Sequence, residues 1–401
     1  MTGPAPVDTP PTRRARWLAA FAILAILVGG ISVVALNRSR AAAARAQAAH
    51  RIIRATLENQ GAALLRGDEP GWLRPVDRSL TPHLKRLYAN LRGFEVSAWL
   101  PRTTLPTSGG GAHWTTETQV RVCFAGAPCR RTPDSYVPHD EVITARTHWR
   151  LDGGRAVLTG FDQITGVEAV PWKQATLIFA KGARTVVAAP RDGTQPASWL
   201  PAAEAAARAA DRFALAAHKP GKYLIYLADP EDWNAAIGED REAAAFVDRT
   251  SEQTAFAVMD AASPPDERLL AHELGHIATL LGTLRGHDTW AIEGLAEYIA
   301  YERTPVDTYP RLPDARRIPW NGRLDMPWPP ERSQRAGLYA LGYLAIRCLA
   351  TAYGLERLLA FFTSVVHEGR TPDQAAGAAF GVPWERVQRE CEPTIRDWLK
   401  T

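Results

Sequence analysis

The chain has 401 residues, a length that predicts two or three domains rather than one. With 46% hydrophobic and 22% charged residues, the composition excludes a largely disordered protein. The net charge is only +4, and no Lys/Arg tract lies beside a row of aromatic residues, so nucleic acid is not an expected partner.

The N-terminal region predicts a membrane anchor. Residues 1–16 are rich in proline and polar residues, which predicts a disordered cytoplasmic tail. Residues 17–36 carry no charge, and about 20 such residues span the ~30 Å hydrocarbon layer as a helix. A buried core helix of this length would show a polar stripe. A cleaved signal peptide, which the small residues 41–43 would allow, has an apolar stretch of only about 7–15 residues. An uncleaved single-pass anchor is therefore favoured.

Cysteine usage indicates which side of the membrane the rest of the chain occupies. The arginines on the two sides of the apolar segment are balanced, so they do not decide the orientation. Cys123 and Cys129 close a short loop, and Cys348 and Cys391 fall on two predicted C-terminal helices. Such pairs favour disulfides outside the cytoplasm over buried free thiols. We expect an extracytoplasmic body at the cell membrane; the alternative is an enzyme that faces the cytoplasm.

Residues 40–168 predict a small α+β domain. An Ala-rich helix is expected at 40–66, ending near Gly67, and a shorter helix at 81–91. Strands with alternating polar and apolar residues are predicted near 94–100, 115–124, 141–150 and 155–160. The stretch TSGGGAH, 107–113, is predicted to be a loop.

A second pattern begins near residue 175. ATLIFA and ARTVVAAP predict two short strands, and a helix is expected to begin at Pro201. KYLIYLA predicts a buried strand, REAAAFV is ambiguous, and TAFAVMD predicts an edge strand. Ser263 is the expected N-cap of the next helix, with Pro264 at its first position.

That next helix carries the sequence AHELGH. On a helix, residues four apart share a face, so His272 and His276 can point two imidazoles at one ion. Glu273 can lie over the open position of a zinc ion and take a proton from bound water that attacks a carbonyl. This is the H-E-x-x-H arrangement; the alternative is an ordinary helix with two surface histidines. The third histidine of the longer zinc motif is absent, because the corresponding position is Gly282.

A second helix, WAIEGLAEY, offers the third ligand. Glu293 is the expected metal ligand, and Glu297, one turn later, can accept a proton from a ligating histidine. The alternative for both is a solvated helix face. Gly275 and Gly294 stand inside helices, where each costs ~1 kcal/mol relative to Ala. Close approach of the two ligand helices would account for that cost.

HELGH followed by WAIEGLAEY resembles the gluzincin metallopeptidases, most closely the peptidase MA-like domains. The resemblance covers 175–401 and implies a zinc peptidase domain with a small sheet and a mainly helical C-terminal half. It assigns His272, His276 and Glu293 as metal ligands and Glu273 as general base. The preceding α+β segment resembles NTF2-like domains. Fewer residues separate the last two ligands than in the aminopeptidase branch, and no G-A-M-E-N-like stretch precedes them, so aminopeptidase activity is not implied.

Peptide hydrolysis also needs a donor for the developing oxyanion. Tyr339 is the first choice; Tyr343, Tyr298 and His287 are alternatives, the last more simply a loop residue. Substrate is expected to add a strand to the sheet along TAFAVMD.

The sequence as a whole predicts a membrane-anchored, extracytoplasmic zinc metallopeptidase that cleaves a peptide or protein substrate with zinc-activated water. The alternative is a non-catalytic cell-surface module that uses the same fold to bind a partner. The presence of Glu273 favours catalysis, because a binding module has no need of that carboxylate.

Overall fold

The computed structural model describes residues 13–125, 142–163, 175–237, 245–249, 254–283, 288–327, 329 and 331–400, although for 13–35 only the backbone is described. The fold class is α+β, as predicted. The α-helices are α1 (Arg13–Arg66), α2 (Glu69–Leu73), α3 (Thr81–Gly93), α4 (Pro196–Asp211), α5 (Pro230–Ile237), α6 (Glu267–Leu280), α7 (Thr289–Tyr301), α8 (Leu312–Arg317), α9 (Arg335–Tyr353), α10 (Leu355–Phe362), α11 (Pro372–Phe380) and α12 (Trp384–Lys400). The strands are β1 (Val96–Thr103), β2 (Thr107–Gly110), β3 (His113–Phe124), β4 (Val142–Asp152), β5 (Arg155–Gln163), β6 (Leu177–Lys181), β7 (Thr185–Pro190), β8 (Tyr223–Ala228), β9 (Ala245–Arg249) and β10 (Ala255–Asp260).

The N-terminal helix includes the segment predicted to be an anchor. Within the described residues, no helix is long and apolar enough to cross a membrane. The side chains of the predicted span 17–36 lie outside those residues except for Leu36, and so do positions 1–12 of the predicted tail. The anchor therefore stays a prediction.

The first sheet is an antiparallel meander in the order β1-β3-β4-β5, with β2 paired to β3. The order agrees with the prediction for this region, in which helices precede a meander of strands. The loop predicted at 107–113 was wrong, because part of it forms β2. Gly110 and Gly111 have φ angles of +101° and +56°, which let the chain turn tightly from β2 into β3.

The second sheet has the order β6-β7-β8-β10-β9. The prediction that TAFAVMD is an edge strand was wrong: β10 pairs with β8 on one side and with β9 on the other. The ambiguous segment REAAAFV supplies part of β9, the terminal strand among the described residues. Pro201 lies inside α4 rather than at its start, because Pro196, with the same restricted φ, occupies the first turn.

The two faces of the second sheet are buried in different cores. In β8, Tyr223 and Ile225 pack in the core formed with the helices, whereas Leu224 and Tyr226 pack in the core formed with the N-terminal region. This is the alternation of a strand covered on both faces. Because both faces are covered, β8 is an unbroken apolar run.

Aromatic rings join the N-terminal region to the sheet. Phe256 of β10 lies 5.1 Å from the ring centroid of Phe94 and 6.0 Å from that of Phe124. The side-chain amide of Asn90 accepts a hydrogen bond from the backbone of Leu177 at 3.2 Å. The predicted α+β region and the sheet that follows it therefore share one core.

The C-terminal half is helical and carries a disulfide between α9 and α12. The predicted pairing of Cys348 with Cys391 is confirmed. Cys123 is disulfide-bonded as well. Its predicted partner, Cys129, lies outside the described residues.

Candidate metal centre

Helix α6 presents the AHELGH motif. Its N-cap is Asp266, whose carboxylate accepts hydrogen bonds from the backbone of Arg268 at 2.8 Å and of Leu269 at 3.2 Å. The predicted cap at Ser263, with Pro264 at the first helical position, was wrong. Asp266 is a cap of equal quality closer to the helix, and its charge also complements the positive end of the helix dipole.

Glycines set the spacing of the helices around the site. A Cβ atom on Gly275 of α6 would lie 2.9 Å from Ile299 Cδ1 and 3.5 Å from Ala296 Cα, both on α7. This is the close approach expected between the two ligand helices. Gly294 was expected to serve the same contact, but it faces α9 instead, where a Cβ atom would lie 2.6 Å from the backbone of Gly342.

Three ligand atoms converge between α6 and α7. Nε2 of His272 lies 3.1 Å from Nε2 of His276, and Oε2 of Glu293 lies 3.3 Å from each of these nitrogens. These three residues form a group that could hold a metal ion. The structure thus brings together the three residues predicted to be ligands.

The dimensions of this triangle fit zinc. Atoms that bind zinc tetrahedrally at ~2.0–2.1 Å lie about 3.3 Å apart, close to the three separations observed. Two imidazole nitrogens and one carboxylate oxygen are also the donor set that zinc takes in catalytic sites. These atoms also lie within hydrogen-bonding distance of one another, so positive charge between them, carried by a proton or a metal ion, stabilises the group.

The shifted pKa values of His272 and Glu293 also indicate that positive charge stabilises this cluster. Burial disfavours a charged imidazole, but hydrogen bonds to Glu293 and Glu297 outweigh burial and raise the pKa of His272 to about 10. Burial would raise the pKa of Glu293, yet the neighbouring His276 and His272 hold it well below its usual range. The cluster therefore attracts a cation, either protons or a metal ion.

Glu273 lies beside the ligand triangle and is only 6% exposed. Burial raises the pKa of its carboxyl group, against the opposing effect of His272 and His276. No group in the described residues donates a hydrogen bond to this carboxylate. A carboxylate with raised basicity and free oxygens is suited to accept a proton from water.

Tyr339 of α9 also reaches the site. Its ring meets that of His272 edge-on, with 6.2 Å between the centroids, and the Arg311 guanidinium lies 5.5 Å from its centroid. Burial and the nearby Glu293 raise the pKa of Tyr339, so its hydroxyl stays protonated and able to donate at neutral pH. These contacts support Tyr339 as the first choice for the oxyanion donor.

The alternative donors have other neighbours. The Tyr343 hydroxyl accepts a hydrogen bond from Arg347 at 2.8 Å, and the Tyr298 ring packs against Phe213 and Tyr343. His287 lies outside the described residues. Tyr339 is thus the one of the three tyrosines in ring contact with a predicted ligand.

Glu297 takes the position expected of it behind His272. One carboxylate oxygen lies 3.4 Å from His272 Nδ1, and the other accepts a hydrogen bond from Tyr309 at 2.7 Å. Arg311 Nε lies 3.4 Å from the first oxygen. Tyr309 and Arg311 could not be predicted from the sequence, because they stand in an irregular segment where no helical period relates them to Glu297.

Comparison with protein-family models and with curated proteins finds no match for this chain. The fold and the geometry of the site are therefore the basis for the function proposed next.

Proposed function

We propose that the protein is a zinc metallopeptidase of the gluzincin type. The observation that carries the proposal is the triangle of His272, His276 and Glu293, with separations of 3.1, 3.3 and 3.3 Å, next to the buried carboxylate of Glu273. Zinc in such a ligand set acts as a Lewis acid that polarises a carbonyl and makes water more acidic. The remaining chemistry belongs to side chains of this chain.

Glu273 acts as general base and then as general acid. Its carboxylate takes a proton from the attacking water and returns it to the nitrogen of the leaving amine. The Tyr339 hydroxyl donates a hydrogen bond to the oxygen that gains charge as water adds to the carbonyl. Burial of the site strengthens both interactions, because little water competes for these groups.

We propose that a peptide substrate adds a strand to β9. Strand β9 is the terminal strand among the described residues and contacts α6, the helix of His272 and Glu273. A peptide paired along this edge would be held by backbone hydrogen bonds, which favours a peptide or protein over a small molecule.

The surroundings of the peptidase are also part of the proposal. We propose that an NTF2-like domain at 40–168 supports the peptidase sheet and that residues 17–36 anchor both to the cell membrane, outside the cytoplasm. The disulfide between Cys348 and Cys391 supports an oxidising compartment. An impermeant maleimide should label the variant Glu385→Cys on intact cells, because the side chain at this position is 83% exposed. Labelling that requires cell lysis would contradict the location.

The peptidase activity is tested with Glu273→Gln, which keeps the size of the side chain and removes the base. We expect this variant to bind zinc as the wild type does and to lose at least about 10²-fold in peptide hydrolysis. The matched control is Glu267→Gln, an exposed residue on the same helix, which should change neither property. Undiminished cleavage by a zinc-loaded Glu273→Gln protein would remove the peptidase proposal.

A further inference from the structure

We propose that Tyr309 and Arg311 are positioning residues that hold Glu297 against His272 and thereby raise the affinity of the site for zinc. The inference rests on the proposed function, because it concerns the same metal centre. It assigns a task to the segment between α7 and α8, which contributes no metal ligand.

Glu297 is held from three directions. His272 Nδ1 and Arg311 Nε each lie 3.4 Å from Oε1, and the Tyr309 hydroxyl donates to Oε2 at 2.7 Å. The side chain of Glu297 is only 2% exposed, so water does little to orient it. These three contacts orient the carboxylate of Glu297 toward His272.

The Tyr309 ring is fixed by its neighbours. It stacks on Tyr343 with 4.1 Å between the ring centroids and meets Tyr301 edge-on at 5.1 Å. Tyr309 is 2% exposed. Burial and the adjacent Glu297 raise its pKa, so the hydroxyl remains a donor. Because the Tyr309 ring is already fixed by its packing, its hydroxyl points at Glu297 before zinc binds. Zinc binding therefore costs no further conformational entropy of this side chain.

Arg311 links Glu297 to the other side of the site. Its guanidinium contacts the Glu297 carboxylate and lies over the ring of Tyr339, which itself contacts His272. One side chain therefore contacts both Glu297 and Tyr339, each of which neighbours His272.

The zinc site depends on this arrangement because the two histidines differ in their support. His272 has Glu297 behind it, whereas Nδ1 of His276 is buried with no hydrogen-bond partner among the described residues. A carboxylate behind a ligating imidazole fixes its tautomer and increases its basicity, and loss of such a partner typically weakens metal binding 10–100-fold. Among the described residues, Glu297 supplies this support, so the residues that orient Glu297 also affect metal binding.

The test measures zinc dissociation constants by competition with a chromophoric chelator on the full chain. We expect Tyr309→Phe and Arg311→Met each to weaken zinc binding about tenfold. The matched control is Tyr343→Phe, which removes a hydroxyl from an equally buried ring of the same stack but does not touch Glu297. It should change zinc affinity by less than about twofold while still costing stability, which separates positioning from a general structural effect.

A double-mutant cycle completes the test. In a Glu297→Gln background, Tyr309→Phe should have little further effect on zinc affinity, because its action passes through Glu297. Wild-type affinity in Tyr309→Phe, or full additivity in the cycle, would overturn the inference and leave the peptidase proposal intact. A wild-type protein that binds no zinc would overturn both.

Discussion

The cluster around Arg184 and the cluster around His272 both place carboxylates inside the second half of the chain, but they satisfy them differently. The Arg184 guanidinium donates two hydrogen bonds of 2.7 Å to Asp211, which also accepts one from Tyr223 at 3.2 Å. Glu204 accepts from Thr185 at 2.7 Å and from the backbone of Arg184 at 2.9 Å. Each carboxylate of the Arg184 cluster therefore has donors within the protein.

In the metal-ligand cluster, His272, His276 and Glu293, the carboxylate is paired with two imidazoles, which are cationic only when protonated. The permanent cation nearby, Arg311, contacts Glu297 instead. A buried charge cluster costs free energy unless its charges are neutralised. The Arg184 cluster therefore contains its own permanent cation, whereas the metal-ligand cluster depends on protons or on a metal ion, which it could hold.

Of the changes considered, zinc removal should have the largest effect on the free energy of unfolding, and this effect should depend on the metal-ligand cluster and not on the Arg184 cluster. At free zinc about 1,000 times the dissociation constant, zinc binding adds ~4 kcal/mol to the free energy of unfolding, and a chelator should remove that amount. We expect the same loss in Asp211→Asn and none in His272→Ala, measured by urea unfolding with and without chelator. An equal chelator effect in the His272→Ala protein would show that zinc acts elsewhere.

Gly294→Ala should disturb the metal-ligand cluster through the backbone. The added Cβ atom would meet the Gly342 backbone at 2.6 Å, so α7 must move away from α9 and carry Glu293 with it. We expect a loss of ~1–3 kcal/mol in unfolding free energy, together with weaker zinc binding.

The matched control is Gly377→Ala, in α11, where an added Cβ atom meets nothing within 4 Å. This substitution should stabilise the protein by ~0.5–1 kcal/mol, because alanine favours a helix. Stabilisation by both alanines would mean that α7 and α9 are not in close contact.

Asp211→Asn should have the smallest effect, about 1 kcal/mol at pH 7, because the pair with Arg184 is partly exposed. Burial alone would raise the pKa of Asp211, but Arg184 lowers it below the ordinary 3.8. The stabilisation is therefore present above about pH 4 and is lost as the pH falls further. Urea unfolding at pH 7 and pH 3 should show the difference between variant and wild type shrinking in acid. A constant difference would contradict the assignment.

Local periodicity was enough to predict which candidate ligands share a helix face, whereas the approach of Glu293 to the two histidines was predicted from the resemblance to the gluzincins. Helical spacing places His272 and His276 on one face, and the same reasoning set Glu297 one turn after Glu293. These relations depend only on neighbours within one helix, which the sequence displays directly. The α+β class and the strand meander could also be predicted, because the alternating pattern of a strand is likewise local in the sequence.

Contacts between segments that are distant in the sequence could not be predicted from local patterns. Nothing within TAFAVMD shows that β9 would cover its second edge, although its apolar run is typical of an interior strand. The helix that packs against Gly294 was predicted wrongly, because a glycine inside a helix indicates close packing but does not indicate which helix packs there. Tyr309 and Arg311 reach Glu297 only through the fold of an irregular segment.

The most direct test of the central claim is the metal content of the purified protein, measured beside two histidine variants. We expect one zinc per chain in the wild type and in His113→Ala, an exposed histidine of the first sheet, and none in a folded His272→Ala protein. Equal zinc in all three proteins, or none in the wild type, would contradict a metal site formed by His272, His276 and Glu293.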